Sequence, residues 1–359
     1  MPKLHRGAEQ TVFFLFGHDP KTGKIAGPQG TGFFVGRESV RVPNYFHLYA
    51  VTNWHVACRG ASIIALNTID ARRRFIEFGP EDWLFTKEGD DLAAVDVTDH
   101  YGLNDNVLPL NEKDMVTPEV IKRFDIGPGE DVYMCGLFVG HHTGSIWGDD
   151  DFVVNVPAFR FGNISMLADD VAPVEVETGA KRPCFLVDMR SRTGFSGSPV
   201  LVYRSIGSNL QQIPGGWDPK RWQQPLTGPG RVFSVSDPDD MFVGLLGVHC
   251  GQFWDTVKAF KTKSHSEQLG DGLRDGDELD IQSSMNIVAP AWCITELLDL
   301  EDFEMARKKR DEKWAEQARR RPQAESAQPS PPASDANPKH REDFNSLLDA
   351  AVRKPARED

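Results

Sequence analysis

With 359 residues and 40% hydrophobic side chains, the chain is long enough to bury a sizeable core, as one large domain or two smaller ones. A formal net charge of −13 argues against a general nucleic-acid binder or a protein held to anionic membranes, and no apolar run approaches the length of a membrane span. Five widely spaced cysteines without a C-x-x-C pair argue against a structural zinc site or a disulfide framework and fit single buried thiols in a reducing cytoplasm.

The opening "MPKLHRGAEQTVFFLFG" sets basic residues before a short apolar run. That run is too short for a signal h-region and lacks a small-x-small cleavage site, so it reads as the first strand. From residue 11 to about 300, short apolar or alternating runs recur between turn signals. Examples are "GTGFFVG", "HLYAVTNWHVA", "DLAAVDV", "DVYMCGLFVG", "CFLVDM", "SPVLVY", "FVGLLGVHCG" and "MNIVAPAW". The spacing predicts an all-β barrel or sandwich, because no amphipathic helices alternate with the strands. "GHDPKTGKI" has a faint phosphate-loop look, but it has five residues between Gly17 and Gly23 and Ile25 where Ser or Thr should stand.

Three stretches bear chemistry. In "YAVTNWHVACRG", an apolar strand through Val51 runs into Thr52, Asn53, Trp54 and His55, which places His55 at a sheet edge. In "KEGDDLAAVDV", Asp91 leads directly into an apolar run and is preferred over its neighbour Asp90 as the acceptor that would fix a histidine tautomer. In "SRTGFSGSPV", Gly194 and Gly197 flank Ser196. Such a turn lets the backbone fold closely around one hydroxyl and aim N–H groups at a common point. His141 and His142 are adjacent, poor spacing for one metal on a strand, and read as loop histidines. Neither a metal nor another cofactor is expected.

Residues 205–240, rich in Gly, Pro and Trp, read as a loop insertion, and residues 261–280 as a second, polar loop. After Pro290 the pattern turns helical, with a helical extension over 301–321. Residues 322–340 read as a disordered low-complexity linker. Residues 341–359 regain a short amphipathic helix pattern; Phe344, Leu347 and Leu348 make 341–352 a candidate docking helix for a partner protein.

Taken together, "TNWHVA", Asp91 and "GFSGSPV", in the order His, Asp, Ser, resemble the chymotrypsin-like serine proteases, specifically the bacterial trypsin-like peptidases without disulfides. "GTGFFVG" is similar to the family's strand before the histidine segment, and "GLLGVHCG" to the strand that walls its specificity pocket. The resemblance covers residues 11–300 in patches. It implies a protease domain over 1–300 made of two six-stranded antiparallel β-barrels with a C-terminal helix. It further implies a triad of His55, Asp91 and Ser196, an oxyanion hole from the N–H groups of Gly194 and Ser196, and a protein or peptide substrate. His249, in "GVHCG", falls where glutamyl endopeptidases of this fold contact an acidic side chain. Ser191 lies at the pocket base with Arg190 and Arg192 beside it, which favours a carboxylate or a Gln amide. Phe195 departs from the Asp that secreted animal relatives place before the serine, which argues against activation by N-terminal cleavage. An α/β-hydrolase is excluded by Ser198 in place of the final Gly of G-x-S-x-G and by the chain order. The alternative from another class is a catalytically silent protease fold kept for binding or scaffolding.

Overall fold

The computed structural model describes residues 6–86, 89–139, 143–145, 153–204, 242–258 and 278–320. His141, His142, the 205–240 insertion, the 322–340 linker and the 341–359 tail lie outside the described residues. The described chain is mostly β, with helices gathered toward its C-terminal end.

The first half holds β1 (Val12–His18), β2 (Ile25–Glu38), β3 (Phe46–Thr52), β4 (Ile63–Asn67), β5 (Arg73–Ile76), β6 (Leu84–Phe85), β7 (Ala93–Asp96) and β8 (Leu110–Asn111). They form one sheet in the order β5-β4-β1-β2-β3-β7-β6, with β8 beside β2. Apolar runs on β1 to β4 bury both faces, with Phe13, Phe14, Phe33 and Ile64 fully inside. The two ends of this sheet, β5 and β6, do not pair with each other among the described residues. Among the described residues this half is one sheet with unpaired ends, and the closed six-stranded barrel that the resemblance implies here is not seen. The strand β6 is only two residues long. Side chains fill the region instead: Trp83 is buried in one cluster with Ile76, and Phe78 packs edge-on against Trp83 at 6.5 Å.

The second half is a closed barrel. After β9 (Asp131–Gly136), β10 (Thr143–Ser145) pairs with β11 (Val153–Asn155) outside the barrel. Next come β12 (Ala158–Met166), a small pair of β13 (Val174–Glu175) and β14 (Lys181–Arg182), then β15 (Phe185–Met189), β16 (Pro199–Arg204), β17 (Phe242–Lys258) and β18 (Glu278–Pro290). The barrel closes in the order β12-β15-β18-β17-β16-β9. The strand β18 starts three residues inside the polar stretch that the sequence reads as a loop. Polar cross-strand contacts carry it there: Thr256 donates to Asp280 at 2.7 Å and Lys258 pairs with Glu278 at 3.4 Å.

Four α-helices are described. The one-turn α1 (Trp54–Ala57) follows β3 directly. The seven-residue α2 (Pro118–Phe124) escapes the sequence reading; it starts at a Thr117 cap that accepts from Val120 N. The helix α3 (Ala291–Leu298) leaves β18, and α4 (Glu301–Arg320) follows. Ile294, Leu297 and Leu298 of α3 are fully buried in a single apolar cluster with Val35, Tyr49 and Val51 of the first sheet and Leu245, Val248 and Ile287 of the barrel. Arg307 of α4 donates to Tyr49 OH at 3.1 Å and to Leu298 O at 2.6 Å. One compact unit spans Met1–Lys309; Arg310–Asp359 forms a second, of which residues 310–320 are described and continue α4. No described helix is long and apolar enough to cross a membrane.

Because α3 fills a core shared by both sheets, Leu297→Ala is expected to cost about 2–5 kcal/mol. It should lower a single cooperative denaturant transition rather than split it in two. A midpoint shift worth under about 1 kcal/mol would show that the shared cluster tolerates the cavity.

Candidate active site

The pairing of β3 with β7 sets Thr52 opposite Ala93. His55 lies three residues past Thr52 and Asp91 two residues before Ala93, so both leave the sheet at the same edge. There the Asp91 carboxylate takes hold of His55 twice. Oδ2 lies 2.7 Å from Nδ1, and Oδ1 accepts the His55 backbone N–H at 3.1 Å. The Asp91 carbonyl is held in turn by Trp54 N at 3.1 Å and by the Asn53 side-chain amide at 3.0 Å. Asp91 is 1% exposed and sits in the left-handed region, φ 56°. A non-glycine residue held there carries strain of roughly 1–3 kcal/mol and is over-represented at functional sites. The neighbouring Asp90 is also buried but faces elsewhere: its carboxylate meets Arg182 and the Thr86 hydroxyl.

Across a cleft of about 320 Å³, lined by both His55 and Ser196, lies the glycine turn. Gly194 (φ 103°) and Gly197 (φ 83°) both occupy backbone space that side chains rarely enter. At Gly197 a Cβ would also fall 2.0 Å from Thr31 O. The turn's backbone bonds can be counted peptide by peptide. Phe195 N donates to Arg192 O at 3.3 Å, Gly197 N to His249 O at 2.9 Å, and Ser198 N to Phe195 O at 2.9 Å. The N–H groups of Gly194 and Ser196 have no acceptor among the described residues. These are the two donors that the sequence nominates for an oxyanion hole. Phe195, between them, is fully buried in the barrel core, with Arg160 5.4 Å over its ring. Apolar burial thus anchors the turn.

The pocket wall brings His249 and Ser191 together and adds a residue that the sequence reading missed. His249 Nε2 is 3.2 Å from Ser191 Oγ and 3.0 Å from Asn286 Oδ1. The Asn286 amide nitrogen donates to the carbonyls of Met189 and Ser284, which turns its oxygen toward the imidazole. Asn286 Oδ1 can only accept, so the network places the His249 proton on Nε2, and Ser191 beside it lines the cleft. Burial pushes the His249 pKa down to about 4, against the Asn286 hydrogen bond, so the wall is neutral at neutral pH. Arg192 lines the cleft and is exposed; Arg190 is exposed and does not line it. Asn286 lay unnoticed in "MNIVAPAW" because an asparagine inside an apolar strand gives no periodicity signal; a buried polar residue in a strand is itself the clue.

A second cavity, about 390 Å³, lies against the other side of Asp91 and is lined by Trp54, Phe85 and Glu177. Arg59 borders both spaces, pairing with Glu177 at 3.2 Å and lying 5.3 Å over the Trp54 ring. Neither Gly194 nor Ser196 lines that cavity. Asp90, Cys293 and Glu296 also come together, but Arg182 already neutralises Asp90, which leaves a poor metal site.

No protein-family model and no curated protein matches the chain. Among solved structures, it is similar to the Rv3671c protease from M. tuberculosis. The active form is 14% identical over 81% of this chain and 80% of that one, with a TM-score of 0.39. The inactive form is 13% identical over 81% and 88%, with a TM-score of 0.37. What the cleft can do is therefore read from its own residues.

The buried imidazole carries a pH signature. An unfolded chain protonates His249 near pH 6.5, whereas the native state resists until about pH 4. Its stabilising contribution is complete above pH 6.5 and is lost as pH falls toward 4, by about 3 kcal/mol. Denaturant midpoints of wild type and His249→Gln, measured at pH 7 and pH 4.5, should converge on acidification. Parallel pH profiles would show that His249 is not buried neutral.

Proposed function

We propose that the protein is a serine endopeptidase, with Ser196 as nucleophile, His55 as general base and acid, and Asp91 as the orienting carboxylate. The observation that carries this reading is the two-point grip of Asp91 on His55, across the cleft from a serine whose turn leaves two N–H groups without an acceptor among the described residues. With Nδ1–H committed to Asp91, the imidazole presents Nε2 as a lone pair toward the cleft. Ser196 Oγ attacks the scissile carbonyl as Nε2 takes its proton. The carbonyl oxygen becomes an anion received by the N–H groups of Gly194 and Ser196, each such donor contributing about 3 kcal/mol to the transition state. His55 then returns the proton to the leaving amine, and water repeats the sequence to release the acyl group. No metal or cofactor is needed for any of these steps.

On this reading the open first sheet and the closed barrel are the counterparts of the family's two barrels, each supplying one wall of the cleft, and residues 1–300 are the protease domain. All five cysteines are free, which supports a reducing, cytoplasmic setting. The Ser191 hydroxyl, with the neutral His249 behind it and Arg192 in the cleft, supports a Glu or Gln side chain before the scissile bond, since each brings an oxygen acceptor. The 341–352 segment remains the candidate for docking a partner protein.

A fluorophosphonate probe tests the nucleophile. Wild type should be labelled and Ser196→Ala should not; an unlabelled wild type would favour the silent binding module. Asp91→Asn keeps a residue that tolerates the left-handed region but removes the charge, and should lower kcat by about 10⁴ with the fold intact. A peptide library cleaved after Lys, Arg or large apolar residues would eliminate the pocket assignment. Cleavage after Glu or Gln that His249→Ala abolishes would support it.

A further inference from the structure

Thr31, in "GTGFFVG" of β2, is fully buried and touches the nucleophile turn twice. Its N–H donates to Ser196 O at 2.9 Å and its hydroxyl donates to Gly194 O at 2.8 Å. The hydroxyl direction is forced. Leu137 N donates into it at 2.8 Å, which occupies a lone pair, and Gly194 O can only accept. Thr31 O in turn accepts from Thr52 Oγ1 at 2.6 Å, at the end of the strand that delivers His55.

The effect on the turn follows from counting. In the 194–195 peptide, the carbonyl is held by the Thr31 hydroxyl and the N–H by Arg192 O. In the 196–197 peptide, the carbonyl is held by Thr31 N and the N–H by His249 O. The peptide between them is held only through its carbonyl, by Ser198 N, so its Ser196 N–H is the end left open. The Gly194 N–H belongs to the 193–194 peptide and the Ser196 N–H to the 195–196 peptide, so each open N–H sits on an α-carbon whose next peptide is held by Thr31, and movement of that held peptide would shift the open N–H with it. Pinning both flanks from one residue removes that freedom.

We propose that Thr31 is a positioning residue for the oxyanion hole, its hydroxyl acting through the Gly194 carbonyl to hold the Gly194 and Ser196 N–H groups on the reacting oxygen. The inference rests on the peptidase reading above and goes beyond it, because Thr31 does not touch substrate. An interaction of this kind acts where negative charge develops and not on the ground state, so its loss falls on kcat and leaves KM nearly unchanged.

The test uses the full chain. Thr31→Val keeps the shape and the backbone bond and removes the hydroxyl; Thr31→Ser restores the hydroxyl; Thr31→Ala replaces Thr31→Val should the latter not fold by circular dichroism. Thr31→Val is expected to lower kcat about tenfold to a hundredfold with KM within about threefold. It should weaken inhibition by a peptide aldehyde, which forms an oxyanion on Ser196, in proportion. Binding of the corresponding peptide alcohol, which cannot form one, should be retained, and Thr31→Ser should recover most of the loss. If Thr31→Val or Thr31→Ala turns over at the wild-type kcat, or loses aldehyde and alcohol binding equally, the positioning role is overturned while the peptidase reading stands. If wild type itself neither cleaves peptides nor reacts with the aldehyde, the peptidase reading and this inference fall together.

Discussion

A buried carboxylate constrains much of this molecule. Asp91 has no exposed side-chain surface, and an isolated buried charge is costly unless hydrogen bonds replace the lost water. The donors that reach its oxygens are the backbone and the ring of His55. For both to be present, α1 must begin immediately after β3, and β3 must pair with β7 in one register. The Asn53 amide and the Trp54 N–H close the arrangement by holding the Asp91 carbonyl. The left-handed backbone at Asp91 is the local cost of turning the carboxylate back toward α1 before the chain enters β7.

How much of this was legible in the sequence depended on whether a residue's role was local. The strands, the glycine turn and His55 could be read because apolar alternation and glycine spacing are local signals. Asp91 is the carboxylate that meets His55, but the argument that preferred it to Asp90, burial before a strand, applies equally to both. What separates them is that Thr86, close by in sequence, and Arg182, far along the chain, claim the Asp90 carboxylate, and the second of these is invisible to a local reading. Asn286 and Thr31 were missed for the same reason. Each acts across more than thirty residues of chain, Asn286 on His249 and Thr31 on Gly194. The open edge of the first sheet was also out of reach, because Trp83 and Phe78 fill by packing what a longer strand would fill by pairing.

Phe195 illustrates how one structural task can be met by different physics. A turn that must hold two N–H groups open needs its middle residue fixed. A buried ion pair could do this, but only by desolvating both charges. A fully buried phenyl ring in the barrel core needs no partner charge. The position of the turn is thereby tied to packing of the barrel core.

The same coupling runs through the two sheets. The turn belongs to the barrel, yet its carbonyls at 194 and 196 are held by Thr31 of the first sheet, and Gly197 is glycine because Thr31 O and Thr52 Oγ1 occupy the space a side chain would need. Helix α3 joins the same two sheets through an apolar cluster. Polar clasp and apolar cluster thus fix one relation by different means. The cluster supplies area-dependent stability without direction, and the clasp supplies direction with little net stability, since each hydrogen bond mostly replaces one to water. Removing the clasp should therefore disturb the orientation of the turn far more than the stability of the fold, whereas a cavity in the cluster should do the reverse.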